Sequence, residues 1–571
     1  MKISSFRIAL ASMLLFMAAC GSDSSTSTTT TSTARGTLVF NPPFRIASLD
    51  AAGLTAQLAN SAFAPFLPLT GTPVCGVDFN YMQYWTVGGS DEAAKVSGAL
   101  MVPTGSAPQC TGPRPIILYA HGTQVDKAMN IADPTNPNNK EGVLIAAMFA
   151  AQGYIVVAPN YVGYDISNNY HPYLNEIAQS KDMIDALTAA RSALGHVLAS
   201  ATTDNGQLFI TGYSQGGYVA MATQKAMQAA HMTVTAAGPM SGPYALEAFS
   251  DFAFTGHVSL YSTLFYPLLV TSYQLAYGNA YGSPSATTAD FYEAAYAPTI
   301  QGLLPSYTPV DGPNGLIAQG KIPALALFNI DTPVTGTPLD ALLAIPPLDP
   351  THPETAIFRL GFGPGNLVKN EVRVAYVSDA AINPDLGLQT LSICQATQGQ
   401  APVCSNPGPT SFAPAASAPV YGLRHDTYNN DLRNWIPAAP VMLCGGAQDP
   451  VVTFPVNTGL MSRWWETQGV PVARTAPALA TSLVSVLDLE TGLGPGDPYA
   501  PAEAGFKNAT AQLYMQGYEA ASAAWLDANP GDTAGADAAG QAGGQSNVAQ
   551  NYHQTVEPFC AAAVRGFFSS F

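Results

Sequence analysis

Positive charge is scarce in this chain. Its 571 residues hold 21 Lys and Arg against 38 Asp and Glu, a formal net charge of −17. A chain so acidic offers little to a polyanion, which excludes nucleic acid as a natural partner. Charge of either sign is also thin, at 10% of residues against 47% hydrophobic, so the body reads as globular and suited to uncharged substrates. Long apolar runs are missing: the stretch from Ile8 to Ala19 is too short to span a bilayer. Seven cysteines and eight histidines form no CxxC pair and no His-rich cluster, which argues against a metal site.

What is present begins with an export signal. Lys2 and Arg7 precede the apolar run, which closes on Met17, Ala18, Ala19 and Cys20. This close resembles the lipobox of bacterial lipoproteins, which implies cleavage before Cys20 and acylation of its thiol. Loss of residues 1–19 removes two cations and no acid, leaving a mature charge of −19. The following GSDSSTSTTTTSTA, with almost no apolar surface, predicts a flexible tether. Gly21 after the cysteine, in place of Asp, implies by the same resemblance sorting to the outer membrane.

Apart from Cys20, six cysteines remain: Cys75, Cys110, Cys394, Cys404, Cys444 and Cys560. An even number in an exported chain predicts three disulfides, for which fifteen pairings exist. Order along the chain favours Cys75 with Cys110, Cys394 with Cys404, and Cys444 with Cys560.

Two β-rich runs, Tyr81 to Val87 and Lys95 to Val102, flank the turn signal GGSDE and predict an antiparallel pair. Apolar strands then alternate with helices. PIILYA at 115–120, YIVVAP at 154–159, LFITG at 208–212 and VTAAG at 234–238 read as strands buried on both faces of a parallel sheet. Met183, Ile184, Leu187, Ala190, Leu194, Val197 and Leu198 recur at helical steps, and a second helix should run from Gln215 to about Ala230. VMLC at 441–444 and LVSVLDL at 483–489 complete the set, giving an α/β class.

Between these halves the alternation stops and aromatics accumulate, among them Phe252, Phe254, Tyr261, Phe265, Tyr266, Tyr273, Tyr277 and Tyr281. Residues 245–435 therefore read as a largely helical cap, with these aromatics as its own core. The enclosing 37–244 and 436–571 form the α/β core, and 1–19 and 20–36 are the signal and the acylated linker. Within the core, 492–551 reads as an irregular insertion. It holds a helix near 508–527 and then the run NPGDTAGADAAGQAGGQSN, whose composition predicts mobility.

Gly212, Tyr213, Ser214, Gln215 and Gly216 fit GxSxG, a common pattern in a chain with 51 glycines. Context gives it weight: a strand runs into the motif and a helix leaves it, the setting of a nucleophile elbow. Ser214 is then the nucleophile, and the backbone N–H of Gln215 one oxyanion donor. YAHGTQ at 119–124 follows the first parallel strand, and the N–H of Thr123 is the second candidate donor. His121 in that loop reads as structural. Only His553, in the polar stretch QNYHQ, lies beyond the last strand, where the base belongs in this chain order. Asp449, in the tight loop after VMLC, is the favoured acid, and Asp488 at the end of the last strand is its rival. A Cys444–Cys560 bridge would tie the acid and base segments together.

YAHGTQ, GYIVVAPNYVGY at 153–164 with HPYL at 171–174, GYSQGG, and NDLRNWIPAAPVMLCGGAQDPVV at 430–452 together resemble the secretory lipase and esterase group of α/β hydrolases. The resemblance covers about two thirds of the chain from Leu38 onward. It implies hydrolysis of carboxylic esters, acylglycerols included, through an acyl-enzyme, a cap between nucleophile and acid, and no cofactor. The lipoprotein anchor and the 492–551 insertion depart from that pattern. The expected function is ester hydrolysis by Ser214, His553 and Asp449. The alternatives are a peptidase or amidase on the same fold, or a binding lipoprotein that keeps the fold without catalysis.

Overall fold

In the computed structural model, residues 34–61, 63–137, 139, 141–194, 201–349, 354–388 and 419–571 are described. Cys20, the linker before Ala34, and the Cys394–Cys404 pair lie outside them.

Ten strands make one sheet: β1 (Phe44–Leu49), β2 (Gly76–Val87), β3 (Ala93–Thr104), β4 (Gly112–Ala120), β5 (Ile155–Pro159), β6 (Thr202–Tyr213), β7 (Ala236–Met240), β8 (Val441–Gly445), β9 (Val472–Ala473) and β10 (Val484–Asp488). Their order is β1-β2-β3-β5-β4-β6-β7-β8-β10-β9. The first three are antiparallel, and all the pairings from β5 to β9 are parallel. The continuous apolar runs mark the strands that helices cover on both faces: every residue of β5, β7 and β8 is buried. The hairpin read at Tyr81–Val87 and Lys95–Val102 is twelve residues long on each side, and β1 and β9 were not legible.

The helices used below are α1 (Gly142–Met148), α2 (Glu176–Ala193), α3 (Gln215–Ala229), α4 (Leu246–Phe254), α5 (Ser262–Tyr277), α6 (Asn370–Ile382), α7 (Gly422–Asn429), α8 (Leu460–Thr467), α9 (Ala500–Ala528) and α10 (Thr533–Phe568). Asn175 caps α2 by accepting the Ala178 N–H at 3.0 Å, with Glu176 in the first turn and Arg191 in the last. Helices α4 to α7 lie between β7 and β8 in the chain. There Phe254 stacks on Tyr376 at 3.8 Å, as an internal core of aromatics requires.

The 492–551 stretch differs in part from its reading: α9 and α10 form a hairpin from Ala500 onward and the helix expected near 508–527 lies within α9, but the run read as mobile opens α10. Asp532 caps that helix through the Gly535 N–H at 2.9 Å. The glycines serve close packing: a Cβ on Gly543 would lie 2.4 Å from the Ala521 Cβ, and one on Gly517 would lie 2.5 Å from the Gly543 carbonyl oxygen. Alanine supplies the helix propensity, and glycine lets α9 and α10 touch.

Candidate active site

Strand β6 runs directly into Ser214, whose φ of 58° and ψ of −121° place it in a strained turn before α3. Crowding dictates its neighbours. A Cβ on Gly212 would lie 2.4 Å from the Ala120 carbonyl oxygen, and one on Gly216 only 1.9 Å from it. No side chain fits at either place, so the elbow seats against the end of β4.

His553 Nε2 lies 2.9 Å from Ser214 Oγ, and its Nδ1 lies 2.6 Å from Asp449 Oδ2. Asp449 Oδ1 in turn accepts the N–H groups of Val451 and Val452 at 2.9 and 3.1 Å. With Nδ1–H on the carboxylate, Nε2 presents its lone pair to the serine hydroxyl. Asp488 does not compete: it accepts the N–H groups of Ala447 and Glu490 and the Thr491 hydroxyl, and so organises the loop after β8.

His553 was read into a polar loop. It lies instead inside α10, buried on the face turned to the sheet, because that face carries Tyr552, Val556, Phe559 and Cys560 into the core. A disulfide joins Cys444 at the end of β8 to Cys560 on α10, with 5.6 Å between Cα atoms. A second joins Cys75 to Cys110.

Neither the Thr123 N–H nor the Gln215 N–H is engaged by a hydrogen bond among the described residues. Gly122 backs onto the elbow, since a Cβ there would lie 3.3 Å from the Tyr213 carbonyl oxygen. His121 is buried and stacked on Tyr161 at 4.1 Å; its nitrogens meet the carbonyls of Gly122 and Asn160. Burial pushes its imidazole down to about 4, which suits a structural role in the loop.

Beside Ser214 opens a cleft walled by Leu246, Phe249, Phe265, Tyr266, Leu269 and Val451. No lining side chain among the described residues carries a formal charge. Phe265 and Tyr266 thus face the cleft, whereas the sequence reading had assigned them to the interior of the cap. Three further groups escaped that reading. Tyr213 donates to the His553 carbonyl at 2.5 Å, Glu141 holds the Gly122 N–H, and Glu557 follows His553 by one helical turn. Only the four-residue spacing of Glu557 was visible beforehand. Among the described residues no cluster of three or more His, Cys, Asp or Glu could hold a metal ion, and no helix is long and apolar enough to cross a membrane.

A strand-elbow-helix serine after β6, an acid after β8 and a histidine beyond the last strand meet at the carboxyl ends of a parallel sheet. The fold is that of the α/β hydrolases. The structure resembles the rice cell wall degrading esterase LipA of Xanthomonas oryzae, at TM-score 0.55 and 23% identity over 81% of this chain and 92% of that one. It also resembles a protein of Legionella pneumophila named a putative hydrolase, at TM-score 0.51 and 16% identity over 79% of this chain and 91% of that one. The prolyl oligopeptidase family model matches residues 143–263, a stretch that contains Ser214 but neither Asp449 nor His553. No curated protein matches the sequence.

Proposed function

We propose that this chain is a serine hydrolase of carboxylic esters. The observation that carries the proposal is His553 bonded to Ser214 on one side and Asp449 on the other, at the mouth of an uncharged apolar cleft. In this reading Ser214 Oγ attacks the ester carbonyl while His553 takes its proton, and the amides of Thr123 and Gln215 receive the oxyanion. His553 then protonates the leaving alcohol. Water enters by the same route in reverse, releases the acid, and restores Ser214. Asp449 keeps the imidazole in the required tautomer. Residues 245–435 act as the cap, contributing Phe249, Phe265 and Tyr266 to the wall that receives the apolar part of the substrate.

Replacing Ser214 with Ala should abolish turnover of p-nitrophenyl esters and labelling by a fluorophosphonate, with the melting temperature held. Retained turnover would refute the assignment. The partial match to a peptidase family favours amide hydrolysis as the second reading. A cleft without a carboxylate has no partner for a peptide amino terminus, and that supports esters. A panel of p-nitrophenyl esters beside aminoacyl and prolyl amides separates the two. The likeness to the Xanthomonas esterase also favours esters.

Export with acylation of Cys20 completes the proposal. It is supported by the signal-like start and by two disulfides in the described body. Radiolabelled palmitate should enter the wild-type protein and not Cys20→Ser; equal labelling would refute the anchor.

A further inference from the structure

Behind the loop that carries Thr123 lie two carboxyl groups for which ester hydrolysis, as written above, has no task. Glu141 stands at the start of α1 and Glu557 on α10, both buried. Between them stands Tyr119 of β4. Its hydroxyl oxygen is 2.7 Å from Glu141 Oε2 and 3.2 Å from Glu557 Oε1. A phenol owns one proton and can donate to only one carboxylate. The second carboxyl, at hydrogen-bond distance from the same oxygen, must supply a proton of its own.

Which of the two is the acid follows from their other partners. Both oxygens of Glu141 face the Gly122 N–H, at 3.0 and 3.1 Å, the posture of an ionised acceptor. Among the described residues, no N–H donor meets Glu557 to satisfy a charge. Burial, with Glu141 opposite, holds its carboxyl well above the ordinary carboxylate range. Among the described residues, the phenols of Tyr161 beyond β5 and Tyr213 at the end of β6 also face the pair, both raised mainly by burial.

We propose that Glu141 and Glu557 hold one proton between them across the Tyr119 hydroxyl, and that this unit fixes the oxyanion loop to the helix that bears His553. The proposal rests on the serine hydrolase reading. Its consequence is geometric. The Gly122 N–H is drawn back to Glu141, which leaves the next amide, that of Thr123, unspent. Glu557 lies one turn from His553 on α10, so the same unit sets the distance between the base and the oxyanion donors. Glu141 and Glu557 are positioning residues: neither touches the reacting atoms.

The test is steady-state turnover of a p-nitrophenyl ester by wild-type protein, Ser214→Ala, Glu141→Ala and Glu557→Gln across the neutral and alkaline range. Active sites are counted by fluorophosphonate titration, so that only folded enzyme enters kcat. Glu141→Ala should lower kcat by about tenfold or more with KM changed less than about twofold, the mark of a group that acts on the transition state. Glu557→Gln keeps a neutral donor toward Tyr119. It should match wild type at neutral pH and lose the alkaline decline that wild type shows as Glu557 gives up its proton. If Glu141→Ala fails to fold, Glu141→Gln replaces it, with a smaller fall in kcat. An unchanged kcat in the Glu141 variants, or identical alkaline limbs for wild type and Glu557→Gln, overturns the proposal. Turnover by Ser214→Ala would strike the reading of the site instead.

Discussion

At the scale of single residues, the two candidate acids differ in what they hold. Asp449 Oδ2 faces the imidazole, and Asp488 serves three donors of its own loop. Asp449→Asn keeps the shape and spoils the tautomer, so kcat should fall by about three to four orders of magnitude. Asp488→Asn should cost stability and leave kcat within about threefold, since it weakens only carboxylate contacts within its own loop. Parallel kinetics on the two variants decide between the carboxylates; the opposite ranking would return Asp488 to the triad. The chain names Ser214 through its glycines, because Gly212 and Gly216 have a steric reason that spacing exposes. It does not name Glu141, since a lone glutamate in PNNKEG has no pattern, and only the fold brings it to Gly122.

At the scale of elements, β5 and β6 were legible because burial on both faces writes an unbroken apolar run, and α3 because a strand-elbow-helix passage has one geometry. The run from Asn529 to Asn547 differs from its reading for an equally physical cause. A low-complexity run of Gly, Ala and Gln looks like a chain that cannot bury enough to fold, yet its glycines line a helix contact where bulk would intrude. Gly543→Val should therefore separate α9 from α10 and lower stability by about 1–3 kcal/mol, the usual cost of overpacking. Thermal melts of this variant and of Gly531→Val, whose added Cβ would meet nothing within 4 Å but whose φ of 88° disfavours a side chain, distinguish clash from backbone strain. Equal melting temperatures for Gly543→Val and wild type would count against the packed hairpin. The same misreading displaced His553 from helix to loop, because nothing before it looked helical.

At the scale of the whole molecule, buried ionisable groups set the response to pH. Burial pushes the Asp182 carboxyl up to about 7 and that of Asp426 up to about 8. Desolvation pushes His121 down to about 4, His171 to about 3 and His257 to about 4. Below about pH 6.5, the ordinary histidine value, the two sets oppose. The unfolded chain protonates its imidazoles there, and the folded chain keeps protons on its carboxyls. Above that value only the carboxyls count. The folded protein retains protons that the unfolded chain has released, so stability drains away as pH rises from about 6.5 to about 8. Melting temperatures taken at the two ends of that window should fall toward the alkaline end, and Asp182→Asn should flatten part of the slope. A melting temperature that climbs across the window would contradict the assignment.

The covalent link between Cys444 and Cys560 makes the enzyme a reporter of its surroundings. Where thiols stay reduced, the loop bearing Asp449 and the helix bearing His553 are held only by packing and by hydrogen bonds such as that between the two residues. Where oxidants prevail, the two are stapled once and for good. The segment carrying Asp449 and the helix carrying His553 are therefore tied more loosely under reducing conditions than under oxidising ones.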